Sequence, residues 1–138
     1  MKWKELIEQF VENNPYMKPN APATEQQIAN VEERLNATLP VELKDLLREF
    51  NGDNWFVFST FQIIEINELQ RGLDFYMPLD CLLFFAGNGC GDYYGYSITL
   101  KDGVRDDRVF LWEHENDNRI WKANNLEDAI KKYYNNEI

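Results

Sequence analysis

The chain has 138 residues and a formal net charge of −10, from 14 Lys and Arg against 24 Asp and Glu. Its length fits one domain, 1–138, with a core of its own, and 44% hydrophobic and 14% aromatic content excludes a disordered acidic tail. The acidity argues against nucleic-acid binding, which needs clustered Lys and Arg, and the longest apolar run, Cys81 to Ala86, is far shorter than the roughly 20 residues of a membrane span.

Helical spacing of apolar residues dominates the first third of the chain. It predicts a helix over residues 2–13, a proline-rich connector over 14–23, and two further helices separated by Leu39-Pro40. Thr24 begins the second helix, because a glutamine three residues later completes the spacing of a capping box. Asn51-Gly52 ends the third helix, since both residues tolerate left-handed backbone.

Short β-branched and aromatic segments dominate the rest of the chain. Two strands are predicted over Trp55–Phe58 and Phe61–Ile66, followed by a short helix within 67–76. Four more strands are predicted over Leu82–Ala86, Tyr93–Leu100, Arg108–Trp112 and Ile120–Trp121. Tight turns join them, and Asn125 caps a last helix, so the predicted fold is α+β: an antiparallel β-meander flanked by N-terminal helices and a C-terminal helix.

The segment 87–92 carries three glycines, Gly87, Gly89 and Gly91. A phosphate-binding loop requires a helix after it, whereas this segment runs into the strand-like residues that begin at Tyr93. The glycines are therefore predicted to serve a hairpin turn that needs positive φ.

His114 is the only histidine, and it lies between Glu113 and Glu115. Neighbours in an extended segment point to opposite faces, so His114 should face away from both glutamates. Zinc sites usually combine two or more His or Cys side chains. No metal site, no catalytic residue and no cofactor is therefore predicted, and His114 is expected to be a solvated or contact residue at a strand end.

The first residues carry Glu5, Glu8 and Glu12 where a signal peptide would be apolar, so a cytoplasmic location is expected. The two cysteines should then be reduced thiols. Cys81 and Cys90 lack a CxxC arrangement and stand among apolar or glycine residues, which predicts buried and unreactive side chains. A small hydrolase stays open as an alternative, because the many acidic residues offer carboxylate pairs that sequence cannot locate.

Tyrosines form another candidate contact surface. Strand alternation places Tyr93 on the face opposite Tyr94 and Tyr96. Tyr combines a large apolar area with a polar tip and concentrates in interfaces, so one of these faces is a candidate for contact with a partner or a second copy. The oligomeric state stays open.

Three blocks of sequence carry a resemblance to a known family. They are the helix pair from Ile28 to Gly52, the segment Phe85–Tyr94 with its three glycines and Asp92, and the pattern Val109-x-x-Trp112-x-His114-Glu115. Together they resemble the SUKH superfamily, whose fungal branch includes a cell-wall-assembly regulator. The likeness covers residues 24–134, leaving 1–23 as an N-terminal helix and connector without a counterpart.

The resemblance implies an α+β fold and a role in binding another protein. Bacterial members are typically cytoplasmic immunity proteins that bind a cognate polymorphic toxin domain, often a nuclease, and the acidic charge suits a basic partner. The expected mechanism is occlusion of a cationic groove. The expected partner-binding residues are Asp92, Glu115, Tyr93, Tyr94, His114, Trp112, Glu113 and Asp117. A non-catalytic regulatory or scaffolding module of the same fold is the alternative function.

Overall fold

The computed structural model describes residues 2–74, 76–101 and 103–138. Within these residues the chain forms five helices and four strands. The helices are α1 (Lys2–Val11), α2 (Glu25–Leu35), α3 (Val41–Glu49), α4 (Thr60–Arg71) and α5 (Leu126–Tyr134). The strands are β1 (Leu82–Gly87), β2 (Tyr93–Thr99), β3 (Gly103–Glu113) and β4 (Asn118–Ala123). Each strand pairs antiparallel with the next, which confirms the predicted meander and the α+β fold.

Local chemistry sets the ends of the predicted helices. Thr24 and Gln27 form the expected capping box at the start of α2. Asn36, with φ 49°, ends α2 in the left-handed region that asparagine tolerates. Asn125 caps α5 by accepting a hydrogen bond from the backbone of Asp128.

The two faces of the sheet pack against different apolar clusters. The helices cover one face and enclose a large core to which Leu83, Phe85, Tyr94 and Tyr96 belong. The other face carries a smaller cluster, and Tyr93 packs against it. The predicted alternation of the tyrosines is therefore confirmed. The smaller cluster consists of Leu79, Leu82, Phe84 and Trp112.

The strand predicted over Phe61–Ile66 is wrong, because these residues lie inside α4. Ser59 caps this helix in a second capping box with Gln62, and only Ile63 of the apolar residues in the segment is fully buried. The predicted short helix within 67–76 is the second half of α4, which stops at Arg71. Phe75 lies outside the described residues.

Two further strand predictions need correction. Trp55–Phe58 forms no strand and contributes a single bridge, between Val57 and Ala86. β3 begins at Gly103 instead of Arg108, because its polar first half continues the pairing with β2. Among the described residues, no helix has both the length and the apolar character that a membrane crossing requires.

Candidate functional site: the loop end of the sheet

The two hairpins β1–β2 and β3–β4 turn at the same end of the sheet. Tyr93 of β2 pairs with Trp112 of β3, which brings the two turns side by side. We call residues 87–94 and 112–119 the loop end. The structure therefore brings together all eight predicted contact residues and the three glycines.

Asp92 and His114 join the two turns directly. Asp92 Oδ1 accepts a hydrogen bond from the His114 backbone N–H at 3.0 Å and lies 2.7 Å from His114 Nδ1. Asn88 Nδ2 donates to Asp92 Oδ2 at 3.2 Å. Partial burial favours the neutral acid, but the hydrogen bonds from His114 and Asn88 outweigh it and lower the pKa of Asp92. The aspartate thus stays ionised and holds the imidazole in place.

The glycine turn adopts the predicted backbone at two of its three glycines. Gly89 has φ +79° and Gly91 φ +92°, whereas Gly87 has no positive φ, and for Gly87 that prediction was wrong. Gly87 is the last residue of β1, where a Cβ would lie 3.1 Å from the ring of Tyr93. At Gly91 a Cβ would lie 3.1 Å from the imidazole of His114, so glycine permits the close approach of the two turns.

Asp117 anchors the β3–β4 turn to the segment before β1. Its carboxylate accepts hydrogen bonds from Trp112 Nε1 at 2.7 Å, from the Met77 backbone N–H at 3.0 Å and from Arg119 Nη2 at 3.2 Å. Partial burial works in the opposite direction, but these contacts prevail and lower the pKa of Asp117. The carboxylate is therefore a fixed negative charge.

The predicted contact residues differ greatly in accessibility. Trp112 is 1% exposed and Tyr94 2%, so both side chains form core under the loop end and offer no surface to a partner. Tyr93 is half-buried, stacked over Trp112. Glu115 is exposed and Glu113 half-buried, so these two carboxylates are the accessible ones.

The prediction that both cysteines are buried was wrong. Cys81 and Cys90 are free thiols with exposed side chains. Cys90 stands between Gly89 and Gly91 of the β1–β2 turn, and both Gly89 and Cys90 are exposed. Cys81 Sγ lies 3.2 Å from Arg119 Nη1. Apolar and glycine neighbours in sequence misled the prediction, because they belong to a strand start and a turn and not to the core.

The loop end carries an excess of negative charge. Its residues include four carboxylates and only Arg119 and His114 as basic groups. Arg119 is occupied by Asp117 and by the Met77 carbonyl, to which it donates at 3.0 Å. The excess of carboxylates at the loop end can therefore attract a cationic surface.

Within the described residues, no three His, Cys, Asp or Glu side chains are grouped so that they could hold a metal ion.

Sequence reasoning missed the residues that fix this geometry. Asn88 organises the glycine turn, since its Oδ1 accepts from the backbone of Cys90 at 2.8 Å. An asparagine ahead of a glycine is a signal for such a turn. The contact between Asp92 and His114 spans 22 residues and has no local signal. Nor does any local signal reveal Arg119.

Comparison with known proteins gives one finding on the family. The model of the SMI1 / KNR4 family (SUKH-1) matches residues 22–132, which include the loop end and every strand. A search of curated proteins returned no match. The matched span begins just before α2 and ends within α5.

Proposed function

Because the chain belongs to the SMI1 / KNR4 family (SUKH-1), we propose that it is an immunity protein that binds and neutralises a cognate polymorphic toxin domain. The partner is a basic protein domain, and a nuclease fits best because its active-site groove must attract phosphates. Binding occludes that groove. The protein acts in the cytoplasm of the producing cell, without catalysis and without a cofactor.

The observation that carries this proposal is the fixed acidic surface of the loop end. Asp92 and Asp117 are each held by three hydrogen bonds or close contacts, and Glu113 and Glu115 stand beside them. Charges that are already in position lose little conformational entropy when a partner binds. An acidic surface also accelerates encounter with a basic groove.

The function can be tested by rescue from killing. The C-terminal domain encoded by each adjacent open reading frame would be expressed in a sensitive host, with and without this protein. The proposal predicts that one of these domains kills and that co-expression restores growth.

A toxic domain that kills equally with and without this protein would contradict neutralisation of that domain. If every toxic neighbour behaves in this way, the immunity proposal fails. A scaffolding module, the alternative, would show stable complexes with cellular proteins and no protection.

A further inference from the structure

A second surface lies at the opposite end of the sheet from the loop end. There a cleft of about 800 Å³ separates the connection between α2 and α3 from the β2–β3 hairpin. Its apolar lining comes from both sides. Its apolar residues are Ala37, Leu39, Pro40, Val41, Ile98 and Val104, of which Leu39 and Pro40 are buried.

Some apolar side chains at and near this cleft are exposed to solvent. Val41 lies in the lining, in the first turn of α3, and is 67% exposed. Leu100, at the tip of the β2–β3 hairpin and outside the lining, is fully exposed. Ile98 and Val104 are only partly buried. Adjacent exposed apolar groups around a concavity are typical of a surface that a partner covers.

Carboxylates stand on both sides of the apolar lining. Glu33 comes from the helical side and Asp106 from the sheet side. Within the part of the chain that the structure describes, neither side chain has an ion-pair partner. Glu32 differs, because Lys44 lies 3.4 Å from its carboxylate and the Leu39 backbone N–H donates to it.

We propose that this cleft binds a basic amphipathic segment of a protein partner. Apolar side chains of the segment contact the lining, and its Lys or Arg side chains pair with Glu33 and Asp106. A purely apolar segment would bury both carboxylates without partners, which costs free energy. An acidic segment would face like charges. This inference does not rest on the immunity function, because the loop end takes no part in it.

The test uses a peptide of about 16 residues, enough for four helical turns, with Leu at i, i+3, i+4 and i+7 spacing and Lys and Ala elsewhere. Titration into the isotope-labelled full chain would be followed by amide chemical shifts. The expected result is saturable shifts at Val41, Ile98 and Val104, with the loop end unchanged. A peptide with Glu in place of Lys should not bind.

Two double variants separate the cleft from general charge. Glu33→Lys with Asp106→Lys should weaken the peptide's affinity about tenfold or more, which corresponds to about 1.4 kcal/mol or more. Glu8→Lys with Glu12→Lys makes the same change of net charge on exposed residues at α1 and should leave the affinity near that of the wild type. Val41→Ser should weaken binding without a change of charge.

Four results would overturn the proposal. They are the absence of saturable shifts, shifts at the loop end instead of the cleft, equal weakening in the two charge variants, and a dimer of the free protein that Val41→Ser dissociates. The last would make a second copy of the chain the occupant. All variants alter exposed residues, so their folding can be verified by the unperturbed spectrum of the core.

Discussion

Buried carboxyl groups show how single residues fix the path of this chain. Asp53 is fully buried, and its Oδ1 accepts hydrogen bonds from the backbone N–H groups of Trp55, Phe56 and Val57. Its Oδ2 accepts from the Tyr134 hydroxyl at 2.5 Å. One side chain thus organises the segment before α4 and connects it to α5. Burial nevertheless dominates and raises the pKa of Asp53.

Asp53→Ala should lower the free energy of unfolding by about 3 kcal/mol or more, because it leaves several buried donors without acceptors. Asp53→Asn should cost less, since its amide oxygen can still accept the backbone N–H groups. Urea unfolding followed by circular dichroism measures both. Glu12→Ala, at an exposed position, is the control, and an equal loss in Ala and Asn variants would contradict the assignment.

Asp117 predicts a dependence of stability on pH. Its pKa is lowered in the folded protein, so its contribution is present above the pKa of the unfolded chain, about 3.9. That contribution is lost as pH falls through the folded value. Asp117→Asn should therefore show a shallower loss of stability below about pH 4, measured by urea unfolding at several pH values. Asn also tolerates the φ of 56° at this position, and slopes equal to the wild type would contradict the prediction.

At the scale of elements, the β1–β2 turn offers a matched pair of glycines. Both Gly89 and Gly91 have positive φ, but a Cβ meets His114 only at Gly91 and nothing within 4 Å at Gly89. Gly91→Ala should thus cost about 2 kcal/mol of unfolding free energy and Gly89→Ala about 1 kcal/mol. Chemical unfolding of both variants tests the difference. Equal costs would show that backbone strain alone, and not the imidazole, restricts position 91.

The start of α4 supplies a further prediction on a helix that sequence reasoning missed. Ser59→Ala removes the oxygen that accepts the Gln62 backbone N–H and should cost about 1 kcal/mol. Ser59→Asp retains an acceptor and should cost less. Thermal unfolding measures both. A neutral Ser59→Ala would mean that tertiary contacts alone position the helix.

The helices show where local sequence is informative about the fold and where it is not. The caps at Thr24 and Asn125 and the breaker at Leu39-Pro40 were predictable, since each acts through neighbours a few residues away. Phe61–Ile66 was misread because its β-branched and aromatic residues favour strands, although Ser59 and Gln62 have the same capping-box spacing as Thr24 and Gln27. Asn67 of α4 makes contacts that local sequence does not reveal, since its side chain forms hydrogen bonds with both the N–H and the C=O of Phe84 in β1.

Some features of the candidate site were predictable from the sequence and others were not. The residues that gather at the loop end were predictable from strand order, because hairpins of a meander alternate between the two ends of a sheet. The Asp92 contact with His114 and the burial of Trp112 were not, because they depend on packing across the sheet. The cleft beside α3 was also invisible, since its two walls are far apart in sequence.

At the scale of the whole molecule, two acidic surfaces lie at opposite ends of one sheet. At the loop end hydrogen bonds hold Asp92 and Asp117 in place, whereas the cleft combines carboxylates with the exposed apolar side chain of Val41. Each surface is complementary in charge to a basic protein partner, which agrees with the net charge of −10. If the proposed immunity function holds, we expect the loop end to determine recognition of the partner.

The most direct measurement is the affinity for the toxic domain that the rescue experiment identifies, compared among three forms of the protein. Asp92 is left intact because it supports the loop, and Glu113→Lys with Glu115→Lys tests the accessible carboxylates. We predict that this double variant weakens the complex about tenfold or more, while Glu8→Lys with Glu12→Lys leaves it near the wild type. Equal affinity of all three forms would contradict recognition through the loop end.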